Sequence, residues 1–293
     1  MGGRLGNEIE ITEEDKVWTA LAWHIYKNEI PPEDWEIEKI EWCSKHKVSL
    51  PSNKILKRLL SEFDKEFKDE RNEEEKVKKP SYVLYLESKG IKYFNYITYA
   101  TNLVSILKNG ILSRNIVEQR ELSHKDVSFE SVQKWRIENF EDIHDYVPLY
   151  FATHTPMLYR LYKTDKGKFI IILKVDLKIF RERAFFTNIN VACKEFCEGK
   201  HLFTEEKDLE KLRWDIINEP RCWSDEYKRY KSAELLIKDK VAPSYFRKII
   251  FSNENTMKTY KDILKWEIKK YKAYNLRRFL NMMKVDKTEF PII

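Results

Sequence analysis

An acid that opens an apolar strand is costly unless something uses it. Glu234 stands in that position, between Ala233 and the run Leu235–Leu236–Ile237. A buried carboxylate without partners loses hydration that the interior does not return, so Glu234 marks a candidate functional position. Other polar residues sit among aromatics near strand ends: Tyr96 and Thr98, Asn102 and Arg114, Arg136, and the consecutive His144, Asp145 and Tyr146. Each has a plainer alternative. Asn102 could cap the helix that follows it, and a lone histidine such as His144 is more often a hydrogen-bonded structural residue than a catalyst. Between Thr187 and Tyr230 the chain interleaves aromatics with cations (Phe196, Phe203, Arg213, Trp214, Arg221, Trp223, Tyr227, Lys228, Arg229). That mixture suits unstacked bases, each stacking contact contributing roughly 1–3 kcal/mol. The alternative is that half of these residues belong to the core. Residue types alone define a polar cleft in an α+β protein, not a reaction.

Several chemistries are excluded or disfavoured. The 7 glycines are too scattered to write G-x-G-x-x-G or G-x-x-x-x-G-K-[ST] anywhere, so the usual phosphate cradles of dinucleotide and triphosphate binding are absent. No H-E-x-x-H, G-x-S-x-G or zinc-deaminase signature is present. The 4 cysteines (Cys43, Cys193, Cys197, Cys222) form no C-x-x-C pair. Cys193 and Cys197 are helically spaced, but no further ligand follows at suitable spacing, so reduced thiols are expected and no metal. A surplus of 54 Lys+Arg over 48 Asp+Glu gives a net charge of +6, which permits a polyanionic partner through a local patch without demanding one. The apolar runs Phe169–Leu173 and Tyr82–Leu86 are far short of the roughly 18 residues that span a bilayer. The amino end lacks the apolar core of a secretory signal, so a cytoplasmic monomer away from membranes is expected. At 35% charged, the chain exceeds the typical figure of about 25%, mostly through Lys and Glu, the bias of a heat-adapted surface.

The elements that must position these residues fall into two parts. Residues 1–79 read as a helical extension: Val17, Trp18, Leu21, Ala22, Ile25 and Tyr26 repeat at helical spacing, Pro31–Pro32 stop that helix, and Trp35–Trp42 and Ile55–Phe63 supply two more. Lys54, Lys57 and Arg58 on the third helix admit a helix-turn-helix reading, with a packing appendage preferred. The charged run Phe67–Lys79 is taken as the linker. From residue 80 the texture changes. Strands are expected at Tyr82–Leu86, Tyr93–Ile97, Tyr146–Phe151, Phe169–Val175, Ala233–Ile237 and Phe246–Phe251, and helices at Asn102–Lys108, Pro156–Tyr162 and from Asn255 to about Arg278. Asn109-Gly110 is a helix stop. Irregular alternation without a βαβ rhythm favours α+β.

Longer segments carry a resemblance. Asn95-Tyr-Ile-Thr98 followed by Asn102–Arg114, the block His144-Asp-Tyr-Val-Pro-Leu-Tyr-Phe151 with Thr155-Pro-Met-Leu158, and Arg229-Tyr230 with Ala233-Glu-Leu-Leu-Ile237 resemble, in order, the DarT family of toxins. Those proteins are ADP-ribosyltransferases that modify bases in single-stranded DNA. The resemblance spans roughly residues 82–252 and leaves 1–79 uncovered.

What the resemblance implies is specific. The fold would be a central pair of small mixed β-sheets with peripheral helices, residues 80–293 forming the catalytic domain. NAD⁺ would be the co-substrate, without a metal. Cleavage of its nicotinamide–ribose bond passes through an oxocarbenium-like state, which a carboxylate beside the ribose stabilises. Glu234 matches the catalytic glutamate, and Arg136 the arginine that helps activate the acceptor base. Tyr96, Thr98, Asn102, Arg114, Asp145 and Tyr146 would hold NAD⁺, while His144, Met157, Trp223, Tyr227 and Arg229 would meet the DNA. One departure stands out, because Tyr96 occupies the place where the family generally carries a ribose-binding histidine. A macrodomain antitoxin would be the partner. The competing readings are a transferase acting on RNA or protein, and a non-catalytic nucleic-acid-binding relative.

Overall fold

The computed structural model describes residues 12–27, 35–63, 79–128, 130–164, 167–182, 184–221 and 224–291. The chain divides into two compact units, Met1–Lys78 with Glu267–Arg278, and Lys79–Trp266 with Phe279–Ile293. In the first, helices α1 (Glu13–Lys27), α2 (Trp35–His46) and α3 (53–63) enclose Leu21, Ala22, Ile25, Cys43 and Leu56. A reciprocal cap starts α1: the Asp15 N–H donates to Thr12 Oγ1 (3.1 Å), and the Thr12 hydroxyl donates to the Asp15 carboxylate (2.6 Å). Lys54, Lys57 and Arg58 lie exposed on α3.

The second unit is built on strands β1 (Phe94–Tyr99), β2 (Ile111–Leu112), β3 (Tyr146–Tyr150), β4 (Ile170–Val175), β5 (Ala184–Thr187), β6 (Leu202–Phe203), β7 (Glu234–Lys238), β8 (Lys240–Val241), β9 (Phe246–Phe251) and β10 (Met283–Val285). Eight of them form a sheet in the order β10-β9-β4-β1-β3-β7-β5-β6, and β2 pairs with β8. Only β10 and β9 run parallel. The helices are α4 (Ser81–Ser88), α5 (Leu103–Asn109), α6 (Arg114–Gln119), α7 (Glu130–Asn139), α8 (Pro156–Tyr162), α9 (Glu198–His201), α10 (Trp214–Asn218), α11 (Asp225–Lys231), α12 (Glu254–Tyr271) and α13 (Arg278–Met282). The mixed α+β class is the expected one. The apolar β4 is buried at every position, as a run of Ile and Leu requires.

Two expectations fail for local reasons. Tyr82–Leu86 is helical, within α4, because Pro80 sets the start and Tyr82, Val83 and Leu86 bury one helical stripe; a short apolar run does not separate strand from helix. The C-terminal helix stops at Tyr271 rather than continuing to Arg278. Lys272 adopts a left-handed φ of 51° and the Ala273 N–H donates back to the Ile268 carbonyl, a Schellman-type ending. Gly110 does end α5: its φ is +89°, and a Cβ there would meet the Val241 carbonyl oxygen at 2.5 Å.

The sheet is in effect two four-stranded halves. β4 pairs with β1 along six residues, yet β1 meets β3 through one pair, Asn95 with Tyr150. The Asn95 side chain replaces the missing ladder, its Nδ2 donating to the carbonyls of Tyr150 and Phe151 at 3.2 Å each. Its Oδ1 accepts from the buried Lys174 ammonium (2.8 Å), which also donates to Glu289 (2.6 Å). Asn95→Ala is therefore expected to cost about 1–3 kcal/mol, since it strips partners from buried groups. Urea unfolding measures this; an unshifted midpoint would mean that the halves do not depend on Asn95.

Candidate active site

Glu234 begins β7 at the centre of the second half-sheet. Its N–H donates to the buried Thr187 hydroxyl at 3.0 Å, and it lies opposite Tyr150 in the β3–β7 register. The side chain is fully buried. Its Oε1 accepts from Arg136 Nη1 at 2.7 Å, an ion pair with almost no solvent contact. Its Oε2 is buried with no hydrogen-bond partner among the described residues. Arg136 comes from the last turn of α7 and is the buried residue of that helix. Burial opposes its charge, but the Glu234 carboxylate more than offsets this and raises its pKa.

In front of this pair lies a cleft of about 910 Å³. Arg136, Tyr96, Thr98, Arg114, His144, Tyr146 and Met157 all line it, so seven of the sequence-predicted residues converge there. Glu234 is reached through Arg136 and is not itself on the cleft surface. Tyr150, on the same wall, donates to the Met157 sulfur at 3.8 Å. Burial first, and the Glu234 charge second, push the Tyr150 phenol far up. Burial likewise raises Tyr96, with a contribution from Asp126. His144 is lowered by burial and by Arg114.

Other expected residues are engaged elsewhere. Asn102 makes no side-chain cap on α5; its amide donates to Thr98 Oγ1 (2.9 Å) and the Lys125 carbonyl (2.8 Å), and accepts from the Lys125 N–H (3.0 Å). It ties the 122–127 loop to β1 and supports the cleft from behind. Asp145 is absent from the lining, its carboxylate held by Lys238 (2.7 Å) and Asn115 (2.6 Å). Arg114 lines the cleft with its guanidinium shared between Glu118 (2.8 Å) and Asp126 (3.0 Å). Arg229 pairs with Glu195 at 2.8 Å, and neither it nor Tyr227 lines the cleft. Trp223 lies outside the described residues. Of the aromatics in 187–230, Phe196 and Phe203 are core, and Trp214 packs edge-on to Phe151.

Sequence reasoning passed over Tyr150, Gln133, His124, Asp126 and Ser128, which also line the cleft, as does Lys228 of the expected base-stacking segment. Tyr150 carried a signal: two residues after Pro148 and four after Tyr146, it shares their face of β3. The segment before Glu234 is anchored by a buried lysine. Lys231 Nζ donates to the carbonyls of Ile216 and Ile217 (3.2 Å each) and Glu219, closing the C-terminus of α10. Among the described residues no group of three or more His, Cys, Asp or Glu is gathered to hold a metal ion, and no helix is long and apolar enough to cross a membrane.

Comparison with known proteins places the fold. A family profile described as ssDNA thymidine ADP-ribosyltransferase, DarT, matches residues 95–279. A DNA ADP-ribosyl transferase of Thermus aquaticus is 28% identical over 158 residues, 49% of this chain and 68% of that protein. A DNA ADP-ribosyl transferase–DNA ADP-ribosyl glycohydrolase fusion protein of Thermosipho africanus is 30% identical over 166 residues, 54% of this chain and 42% of that one. The solved structure of Thermus sp. 2.9 DarT in complex with ADP-ribosylated ssDNA superposes with a TM-score of 0.56 at 20% identity, covering 69% of this chain and 97% of that one. The same protein in complex with NAD⁺ gives 0.53 at 19%, covering 69% and 98%. The fold and enzyme class are those of an ADP-ribosyltransferase acting on DNA. Within that class, the chain belongs to the DarT family.

Breaking the buried pair has a calculable consequence. Arg136→Ala leaves a buried carboxylate without its cation and is expected to cost about 3–5 kcal/mol. Arg136→Met combined with Glu234→Gln removes both charges and should cost much less. Chemical unfolding of the two variants separates them, and equal losses would contradict a coupled pair.

Proposed function

We propose that this chain transfers ADP-ribose from NAD⁺ to thymidine in single-stranded DNA, with Glu234 as the catalytic carboxylate. The observation that carries this reading is a fully buried carboxylate with one unpartnered oxygen, set behind a large cleft of mixed apolar and polar lining. As the nicotinamide–ribose bond breaks, positive charge grows on the ribose. A carboxylate held out of water interacts with that charge more strongly than one in solvent, without having to reorganise. Arg136 lines the cleft and carries a fixed positive charge, suited to steady the base as its ring nitrogen gives up a proton. Tyr96, Thr98, Tyr146 and Met157 supply a mixed aromatic and polar wall for ribose and bases. Asn102 and Asp145 act through the elements they fix, and Lys228, at the cleft edge, offers a phosphate contact.

Residues 80–293 are the catalytic part and 1–79 an appendage to it. The reading includes a toxin restrained by a macrodomain partner that removes the modification; the Thermosipho africanus relative carries a DNA ADP-ribosyl glycohydrolase in the same chain. The protein is taken as a cytoplasmic monomer.

Incubation with NAD⁺ and thymidine-containing oligonucleotides, followed by mass spectrometry of the DNA, tests the reaction. Glu234→Gln should lower the transfer rate by about 10²–10³ under conditions where circular dichroism shows the variant still folded, its stability reduced by the unpaired Arg136. A Glu234→Gln protein that modifies DNA at the wild-type rate would remove Glu234 from the chemistry. RNA and protein acceptors in the same assay decide the acceptor class.

A further inference from the structure

The cleft wall contains a directed hydrogen-bond chain that the transfer reaction, as described so far, leaves without a task. The Asp126 carboxylate accepts from the Ser128 N–H (2.8 Å) and from the Ser128 hydroxyl. With its proton committed to Asp126, Ser128 Oγ accepts from the Gln133 amide nitrogen. That settles which end of the Gln133 amide is oxygen, an assignment that only the hydrogen-bond network can make. The Gln133 Oε1 then lies 2.9 Å from His144 Nε2. A carbonyl oxygen cannot donate, so Nε2 carries the hydrogen. In the neutral imidazole the other nitrogen, Nδ1, is consequently an acceptor, and no partner for it is found among the described residues. Asp126, Ser128, Gln133 and His144 all line the cleft, as does Arg136.

The geometry points to His144 Nδ1 as the acceptor of the proton that leaves the DNA base, with Gln133 as the positioning residue that fixes the required tautomer. This rests on the transferase reading above. The balance is complete. The bond from ribose C1′ to the nicotinamide nitrogen breaks and its electron pair leaves with nicotinamide. The N–H bond pair of the base becomes the new bond to C1′, and the proton passes to Nδ1. The resulting imidazolium returns it to water after product leaves.

The alternative is that the Gln133–His144 bond merely ties α7 to the 141–145 turn. The charges around the imidazole speak to the difference: Arg114 on α6 and Arg136 on α7 face it, with Glu118 on α6 and Asp126 on the preceding loop opposing them. Burial and Arg114 dominate, so the ring is held neutral at pH 7. A group protonated only below its usual range accepts a proton throughout the neutral region, and loses that ability as pH falls through its lowered pKa.

The test uses the full chain, NAD⁺ and a thymidine oligonucleotide, with transfer rate followed against pH. Gln133→Glu keeps the acceptor but adds a charge that favours imidazolium, so the acid limb should move up by about one pH unit or more. Gln133→Leu frees the tautomer and should lower kcat about tenfold or more, with KM for NAD⁺ unchanged. Imidazole ¹⁵N chemical shifts should show His144 protonated at Nε2 in the wild type. An unmoved acid limb in Gln133→Glu, or an Nδ1–H tautomer in the wild type, would overturn the proposal while transfer itself continued. A wild-type protein that never labels DNA would instead overturn the reading beneath it, and the assignment to His144 with it.

Discussion

Glu234 and Arg136 can be buried together but not apart. Stripping water from either charge costs several kcal/mol, and only the partner's charge and hydrogen bond offset that. The two residues lie 98 positions apart in the chain, so the pair forces the last turn of α7 against the first residue of β7. α7 buries no apolar side chain: Arg136 is its buried residue, Trp135 and Ile137 remain exposed, and its further ties are polar, Asn139 to the carbonyls of Val191 and Cys193 and Gln133 to His144. A helix docked through a guanidinium and side-chain amides rather than by an apolar stripe is an expensive way to pack. It makes sense if the ion pair is wanted for itself. The second oxygen of Glu234, buried and unpartnered, supports that view: native structures leave few such atoms without cause.

The split in the sheet works toward the same end. Continuous pairing of β1 with β3 would close the surface between the halves, as it does between β1 and β4. Instead the ladder is reduced to one pair, and Asn95 bridges the gap with its side chain. Lys174 and Glu289 satisfy the rest of that amide's surroundings, so the opening leaves few polar groups stranded. Tyr96 and Thr98 on one half and Tyr146 and Tyr150 on the other can then face a shared cleft. Loss of backbone pairing is localised where binding needs space.

Elements with one dominant physical signal were legible in the sequence. The Ile-rich β4, the apolar core of β7 and the Pro-led α8 fall within a residue or two of expectation. Tyr82–Leu86 misled because five apolar-rich residues fit either period. The short strands β5, β6 and β10 have no alternation to read and exist only through their neighbours. Site residues divide the same way. Glu234 was visible because charge and apolar context conflict locally. Asp145 and Arg229 were not separable from true cleft residues, because their partners Lys238 and Glu195 are brought to them only by the fold. The roles of Gln133 and Ser128 depend on contacts made across turns, and nothing in their own sequence context marks them.

Tyr96, the departure that the resemblance implies from the family's usual histidine, takes one titrating group out of the site. A histidine there would titrate near pH 6.5 and change between donor and acceptor in the working range. The phenol does not, because burial and the nearby Asp126 charge hold its pKa far above the usual tyrosine value. It therefore stays a neutral hydroxyl, able to donate and accept at once. In the transferase reading proposed above, what a ribose hydroxyl asks of Tyr96 is hydrogen bonding, which the phenol supplies without adding a positive charge beside Arg136 and Arg114. A further cation at that point would work against an incoming pyridinium and against the oxocarbenium that follows it. In a cleft that already contains Arg114, Arg136 and Arg160, a neutral phenol in place of a titrating ring leaves the Glu234 carboxylate less opposed.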